Sequence, residues 1–290
     1  MNFRSLSPVI GVEVFDADIK TLSDEGFAEL RRQWNAANGL AVIRDQQLTP
    51  QSQTDFSRRF GPLFGEADHF QESVKPFLMP DFPTIYRVSN KKSDTGEALG
   101  RSRAGSYWHS DVSFRSNPAM ASLLYAIEVP TCGGDTLFAS QIAAFAALSP
   151  AMQEMLSGLQ AVHDFRVAAK NSGSYSASDL IGEDFDGTNR CIHPVVVSHP
   201  ETGKSALFVN QGFTSHLQGF DEAESEAILG FLYSHCTSQD FIYRHRWQQN
   251  DLLIWDNRAT IHMAIQDYNA DRYMHRSTVL AETPNAIALG

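Results

Sequence analysis

The chain has 290 residues, 42% hydrophobic and 11% aromatic, which is enough apolar material for a sizeable core and excludes a disordered or fibrous protein. With 23 Lys and Arg against 34 Asp and Glu, the formal charge at pH 7 is −11. No basic stripe offsets it, so nucleic acid is excluded as a partner.

In chain order, Ser23 reads as the cap of a helix through Trp34, with Phe27, Leu30 and Trp34 at helical spacing and Gly39 as a stop. A strand at Leu40–Ile43 follows, and Thr49-Pro50 opens a second helix running toward Phe60 and ending at Gly61. Strand character then recurs at Thr84–Ser89, Tyr107–Phe114 and Ala121–Val129. Ser149-Pro150 starts a third helix. Further strands are expected at His193–Ser198, Ala206–Asn210, Phe241–Arg246, Leu252–Trp255 and Arg272–Leu280, with a hairpin connection at Pro200–Gly203. Asp221 caps a fourth helix that buries Ile228, Leu229, Leu232 and Tyr233.

Many short strands with turn punctuation predict a mainly β protein with flanking helices, a sandwich or jelly roll. Two long polar stretches, Asn90–Ser106 and Lys170–Arg190, are candidate lids. No repeat or linker divides the chain, so one domain over residues 1–290 is expected. Cys132, Cys191 and Cys236 are too scattered for a disulfide framework or a thiolate zinc site and are read as free thiols in or near the core. Met1–Ile10 lacks the zones of a signal peptide and no run of about 18 apolar residues occurs, so the expectation is a cytoplasmic protein without a membrane partner.

Chemistry is suggested first by Trp108-His109-Ser110-Asp111. On a strand, side chains two apart share a face, so His109 and Asp111 would offer a nitrogen and an oxygen to one metal. Such a pair arises roughly once by chance in a chain of this composition, and His199-Pro200-Glu201, set in the hairpin turn, shows how easily the spacing misleads. His262, beyond the apolar run Leu252–Trp255, is a candidate third ligand or an ordinary hydrogen-bonded interior histidine. Two histidines and a carboxylate on one face of an iron leave positions open for co-substrate and dioxygen. Arg272 and Arg276 alternate with Met274, placing two guanidinium groups on one side of the last strand. They form either an anion-gripping wall suited to a dicarboxylate or a solvated edge.

With Phe60-Gly61-Pro62-Leu63, Gly133-Gly134-Asp135-Thr136 and Asn210-Gln211-Gly212-Phe213-Thr214 added in order, the chain resembles a known family over nearly its whole length. That family comprises the taurine dioxygenase and 2,4-dichlorophenoxyacetate dioxygenase (TauD/TfdA) group of Fe(II)- and 2-oxoglutarate-dependent dioxygenases. The resemblance implies a double-stranded β-helix (jelly-roll) core, with His109, Asp111 and His262 holding Fe(II). It also implies that Thr136 and Arg272 grip the distal carboxylate of 2-oxoglutarate, and that Arg276 lies near its inner carboxylate and the substrate's anionic group. The implied reaction uses O2, releases succinate and CO2, and hydroxylates a small organic acid, with C–O or C–S cleavage where the carbon bears a leaving group. His69 and Phe213 stand near the family's substrate-binding positions, although Phe213 alone reads equally as a core residue. His69 comes later than the family pattern places its histidine, Glu66 sits nearer that position, and Gly105-Ser106 replace an expected asparagine. These departures argue against taurine itself. A homo-oligomer is also implied. A jelly-roll protein that binds without catalysis, and a zinc hydrolase, are the alternative classes; neither needs the Arg272/Arg276 face.

Overall fold

The computed structural model describes residues 1–66, 74–102, 105–172, 189–281 and 288–289. The first half runs β1 (Asn2–Ser5), β2 (Val12–Phe15), α1 (Asp24–Ala36), β3 (Leu40–Ile43), α2 (Pro50–Arg58), β4 (Leu78–Met79), β5 (Phe82–Ser89), β6 (Ala119–Glu128), β7 (Thr136–Ser140), α3 (Gln141–Ala146) and α4 (Pro150–Ser157). The second half runs β8 (Gln160–Asp164), α5 (Phe165–Ser172), β9 (Arg190–Pro194), β10 (Val196–Ser198), β11 (Ser205–Leu207), β12 (Thr214–Leu217), α6 (Glu222–Cys236), β13 (Ile242–His245), β14 (Leu252–Asp256), β15 (Thr260–Ala264), β16 (Tyr273–Leu280) and β17 (Ala288–Leu289).

The expected caps start their helices. The Ser23 side chain accepts from Gly26 N, Ser149 accepts from Met152 N, and Thr49–Ser52 and Asp221–Glu224 form reciprocal capping boxes.

One large sheet has the order β1-β2-β3-β14-β6-β16-β5-β4, antiparallel throughout except for the β2–β3 pair. Strand alternation explains why both its faces are covered. Along β14, Leu252 and Ile254 join Trp34, Phe56 and Phe60 under α1 and α2. Leu253 and Trp255 point the other way, with Leu124, Met274 and Phe138. Phe138 belongs to β7, the middle strand of the facing sheet β13-β7-β15, and its ring lies 5.5 Å from that of Trp255. On the far side of that small sheet, Ala139 and Ile261 pack against Leu229 and Leu232 of α6. Each such buried side chain contributes roughly 1.5–3 kcal/mol. Two further three-stranded sheets, β12-β8-β9 and β11-β10-β17, join the same apolar cluster as Ala139 and Ile261 through Ala161, Leu217, Val196 and Leu207. The mainly β, jelly-roll expectation is met, and the site falls between the two layers.

Several expectations need correction, among them the strand at Ala206–Asn210, where only Ser205–Leu207 is paired. Tyr107–Phe114 is not a strand: residues 111–114 form a turn, Val112 has φ +59°, and only His109 makes an isolated bridge, to His262. His193–Ser198 is two strands in different sheets, because Pro194 has no N–H to donate and Val195 turns to Leu159 and Phe208. Arg272–Leu280 is no solvated edge, since β16 is paired with β6 on one side and β5 on the other. Of the candidate lids, most of Asn90–Ser106 is described as a small local hairpin whose Arg101 returns alongside Val88. Residues 173–188 of Lys170–Arg190 lie outside the described residues. Cys236 is buried, Cys191 half-buried and Cys132 exposed, so the last is a free thiol outside the core.

Candidate metal centre

His262 sits on β15, where Ile261 turns outward under α6 and His262 inward toward the large sheet. His109 is hydrogen-bonded backbone to backbone with it in both directions, at 3.0 and 2.8 Å, which adds one residue pair to the edge of the small sheet and brings the rings to 4.1 Å between centroids. Close packing of glycine allows this. A Cβ at Gly105, whose φ is +69°, would fall 2.7 Å from His109 Cε1, and one at Gly212 would fall 2.9 Å from His109 Cβ. The turn after Ser110 then swings Asp111 back between the imidazoles, with carboxylate oxygens 3.6 Å from His109 Nε2 and 3.9 Å from His262 Nε2. One donor atom from each of the three buried residues lies within 4.8 Å of the others, a group that can hold a metal ion.

The donors are prepared for that task. His109 Nδ1 sits 2.8 Å from the Tyr107 carbonyl; that bond places the ring proton on Nδ1 and leaves Nε2 as a lone-pair donor. Burial, together with His109 and Arg276 nearby, holds the His262 pKa well below the ordinary histidine value, so the ring is neutral at pH 7. Burial opposes ionisation of Asp111, but the charge of Arg276 and the neighbouring imidazoles outweigh it and hold its carboxyl far below the usual range. Arg276 donates to Asp111 Oδ1 at 2.9 Å and Ser122 Oγ to Oδ2 at 2.7 Å. Asn257 completes the cradle. Its Oδ1 accepts from Asp111 N and from Trp255 Nε1, both at 3.1 Å, and its Nδ2 donates to Ser122 at 3.0 Å.

The same cavity is walled by Thr136, Arg272 and Arg276, with apolar Val88, Leu124 and Trp255. Thr136 opens β7 opposite Ala264 of β15, two residues beyond His262 on the same face. Arg272 lies just before β16, is 4% exposed, and is bounded by the rings of Trp247 and Tyr268, each 5.9 Å from its guanidinium carbon. Its Nε has no hydrogen-bond partner, and among the described residues no carboxylate pairs with it; burial draws its pKa down. A buried cation without a counter-ion, beside a three-ligand N/N/O set, fits both a divalent metal and an anionic co-substrate. Arg276, two positions along, stacks over Tyr86 at 4.8 Å and keeps an unpartnered Nε.

Sequence reasoning therefore brought together His109, Asp111, His262, Thr136, Arg272 and Arg276. Phe213 lies behind His109, its ring 6.1 Å from the imidazole, in a cluster with Phe114 and Phe165. His69 lies outside the described residues. Glu66 pairs with Arg58 of α2 at 2.5 Å, so its charge is spent at the surface. His199 is no ligand: its Nε2 is 2.9 Å from Asp256, inside a buried network with Arg258 and Glu201 that fixes the β14–β15 turn. Ser122 and Trp247 carried no motif signal; each is recognisable only through its partner in space.

Comparison with known proteins agrees with this geometry. The family model described as "Taurine catabolism dioxygenase TauD, TfdA family" matches residues 2–278. An alpha-ketoglutarate-dependent 2,4-dichlorophenoxyacetate dioxygenase of Cupriavidus pinatubonensis is 33% identical over 281 residues, covering 95% of this chain and 96% of its own. An alpha-ketoglutarate-dependent sulfonate dioxygenase of Saccharomyces cerevisiae is 31% identical, covering 98% and 68%. The crystal structure of a taurine dioxygenase from Burkholderia xenovorans superposes with a TM-score of 0.79 at 29% identity, over 98% of this chain and 90% of that one. AAD-2 in complex with Mn(II) and N-oxalylglycine, 24% identical with a TM-score of 0.78 over 98% and 99%, shares the fold. No helix among the described residues is long and apolar enough to cross a membrane.

Proposed function

We propose, from the premise that the chain belongs to the taurine catabolism dioxygenase TauD, TfdA family, that it hydroxylates a small organic acid at the centre formed by His109, Asp111 and His262. As an alpha-ketoglutarate-dependent dioxygenase it uses Fe(II), O2 and 2-oxoglutarate (alpha-ketoglutarate). The observation that carries the residue assignment is the buried Arg272, without a carboxylate partner among the described residues, in the same cavity as His109 and His262 of the three-donor group. A zinc hydrolase or a passive binding protein does not need that charge.

When bound, the iron supplies the oxidising site and 2-oxoglutarate the two further electrons, leaving as succinate and CO2. The chain's own residues do the rest. His109 Nε2, His262 and Asp111 present one face of two nitrogens and a carboxylate, kept in register by the Tyr107 carbonyl and by Ser122. Arg272 and Thr136 grip the distal carboxylate of the co-substrate. Arg276, with one N–H on Asp111 and Nε unpartnered, faces the inner carboxylate and the anionic group of the substrate. Phe213 and Tyr107 wall the histidine side against water, and His69 is the remaining candidate for the substrate head group.

A carbon bearing an ether oxygen or a sulfonate would lose it once hydroxylated, because the product collapses to a carbonyl. The named activities of the 2,4-dichlorophenoxyacetate and sulfonate relatives support that C–O or C–S outcome. One catalytic domain over residues 1–290, assembled as a cytoplasmic homo-oligomer, is the form we propose; the family match across residues 2–278 supports the single domain. The test is anaerobic loading with Fe(II) and 2-oxoglutarate, followed by oxygen and a panel of aryloxyacetates, sulfonates and simple carboxylates. Succinate formed in step with loss of one panel member is expected. Failure of every member to raise succinate above the substrate-free level would refute the substrate class.

A further inference from the structure

We infer that Trp247 is a positioning residue for the co-substrate: its indole N–H fixes the Thr136 hydroxyl so that the hydroxyl hydrogen is presented to the distal carboxylate held by Arg272. This rests on the co-substrate reading of Thr136 and Arg272 given above.

A threonine hydroxyl has one hydrogen and two lone pairs. Trp247 Nε1 donates to Thr136 Oγ1 at 3.0 Å, so one lone pair is taken by a group that cannot accept in return. The hydroxyl's own hydrogen must go elsewhere, and no acceptor for it is found among the described residues. Left alone, a threonine hydroxyl tends to donate to a nearby backbone carbonyl. Occupied by the indole, it is turned into a donor for whatever anion enters the cavity that Thr136 shares with Arg272. The same indole ring lies 5.9 Å from the Arg272 guanidinium carbon, so one side chain borders both halves of the carboxylate clamp.

Trp247 is itself held firmly. It is 8% exposed, and the His245 ring meets its face edge-on at 4.7 Å and 87°. His245 Nε2 lies 3.1 Å from Asp251 Oδ2, and the same oxygen accepts from Gln248 N at 2.8 Å and pairs with Arg44 at 2.6 Å. Asp251 thus ties the chain on both sides of Trp247. The end of β13 also pairs His245 with Thr136, which sets the indole and the hydroxyl at a fixed separation.

The test measures binding to the Mn(II)-loaded protein of N-oxalylglycine, which carries a distal carboxylate, and of oxalate, which chelates without one. Trp247→Phe keeps the ring and removes the N–H. It should weaken N-oxalylglycine about tenfold and leave oxalate within about twofold. Thr136→Val should do the same, and the double variant should be no weaker than Thr136→Val alone, since the indole acts only through the hydroxyl. Additive losses in the double variant, or an unaffected Trp247→Phe beside a weakened Thr136→Val, would overturn the inference and leave the co-substrate reading standing. Loss of oxalate binding in Trp247→Phe would overturn it too, by showing that the indole acts through the fold. An unaffected Thr136→Val would overturn the co-substrate reading itself.

Discussion

Replacing Arg272 with Met separates stability from function. The guanidinium is 4% exposed, lacks a partner at Nε, has no carboxylate beside it among the described residues, and retains only Tyr268 and the two aromatic faces. Two cation–π contacts return about 1–2 kcal/mol together. Desolvating an ion costs several kcal/mol, so the ligand-free protein carries a net penalty that a methionine of similar length removes. Arg272→Met should therefore stabilise the ligand-free protein by about 1–4 kcal/mol, a rise of roughly 2–8 °C in Tm. The same change leaves a bound dicarboxylate without its counter-charge, costing about 3–5 kcal/mol of affinity, or some two to four orders of magnitude. Thermal melts with and without N-oxalylglycine on the Mn(II) protein read both effects at once: the baseline rises and the ligand-induced shift vanishes. A variant that melts lower and still binds N-oxalylglycine normally would refute the argument, because Arg272 would then be a structural cation with a partner of its own.

Ser122→Ala removes the 2.7 Å donor to Asp111 Oδ2 and strands Asn257 Nδ2; the loss, about 1.5–3 kcal/mol, should weaken Mn(II) about 10- to 100-fold by titration, and an unchanged affinity would disprove the cradle. His262→Ala should abolish both metal binding and turnover, whereas Cys191→Ser should alter neither; equal activity in the two would reject the ligand assignment. Acid should weaken the fold early. Burial depresses the pKa values of His163, His193, His245 and His275, the last to about 4 with help from Arg87. Because the unfolded chain has ordinary histidines, their contribution to stability is complete above about pH 6.5 and is lost as pH falls from there toward the depressed values, at up to about 1.4 kcal/mol per unit for each. Calorimetric unfolding near pH 5.5 in buffers of different ionisation enthalpy should show net uptake of protons; no uptake would contradict the assignment of those rings as neutral.

Legibility of the sequence followed the range of the forces involved. Ser23, Thr49, Ser149 and Asp221 were readable as caps because each acts on backbone within three residues. The apolar runs Leu40–Ile43 and Leu252–Trp255 were readable because both faces of the central strands are buried. Tyr107–Phe114 was misread for an instructive reason. His109 and Asp111 do converge, as alternation on a strand would make them, but through a left-handed turn at Val112 held by Asn257 and Ser122. A local rule gave the right pair by the wrong geometry. β15, which carries His262, went unseen because Asp256-Asn257-Arg258 resembles the end of an element and no periodicity marks the five residues after it. Ser122 and Trp247 were beyond reach: each is 11 residues or more along the chain from the side chain it orients, and only the fold sets those distances.

Arg272 and Arg276, each with an unpartnered Nε, make the cavity between the layers a place for an anion. His262 Nδ1, Arg272 Nε and Arg276 Nε are each buried without a partner, and all three residues wall one cavity. Among the described residues, two other buried carboxylates are paired: Asp256 with Arg258 and His199, and Asp251, through its Oδ2 alone, with Arg44 and His245. A chain that pairs those carboxylates with cations could have placed one against Arg272 as well. Doing so would have occupied the space and neutralised the charge that a dicarboxylate needs, since an internal anion and an incoming one would compete for the same guanidinium. Introducing that anion makes the point testable. Leu124→Glu, set on the cavity wall, should pair with Arg272 or Arg276 and reduce N-oxalylglycine affinity, whereas Leu124→Gln, of the same shape without the charge, should reduce it less. Equal losses in the two would mean that the wall contributes shape alone.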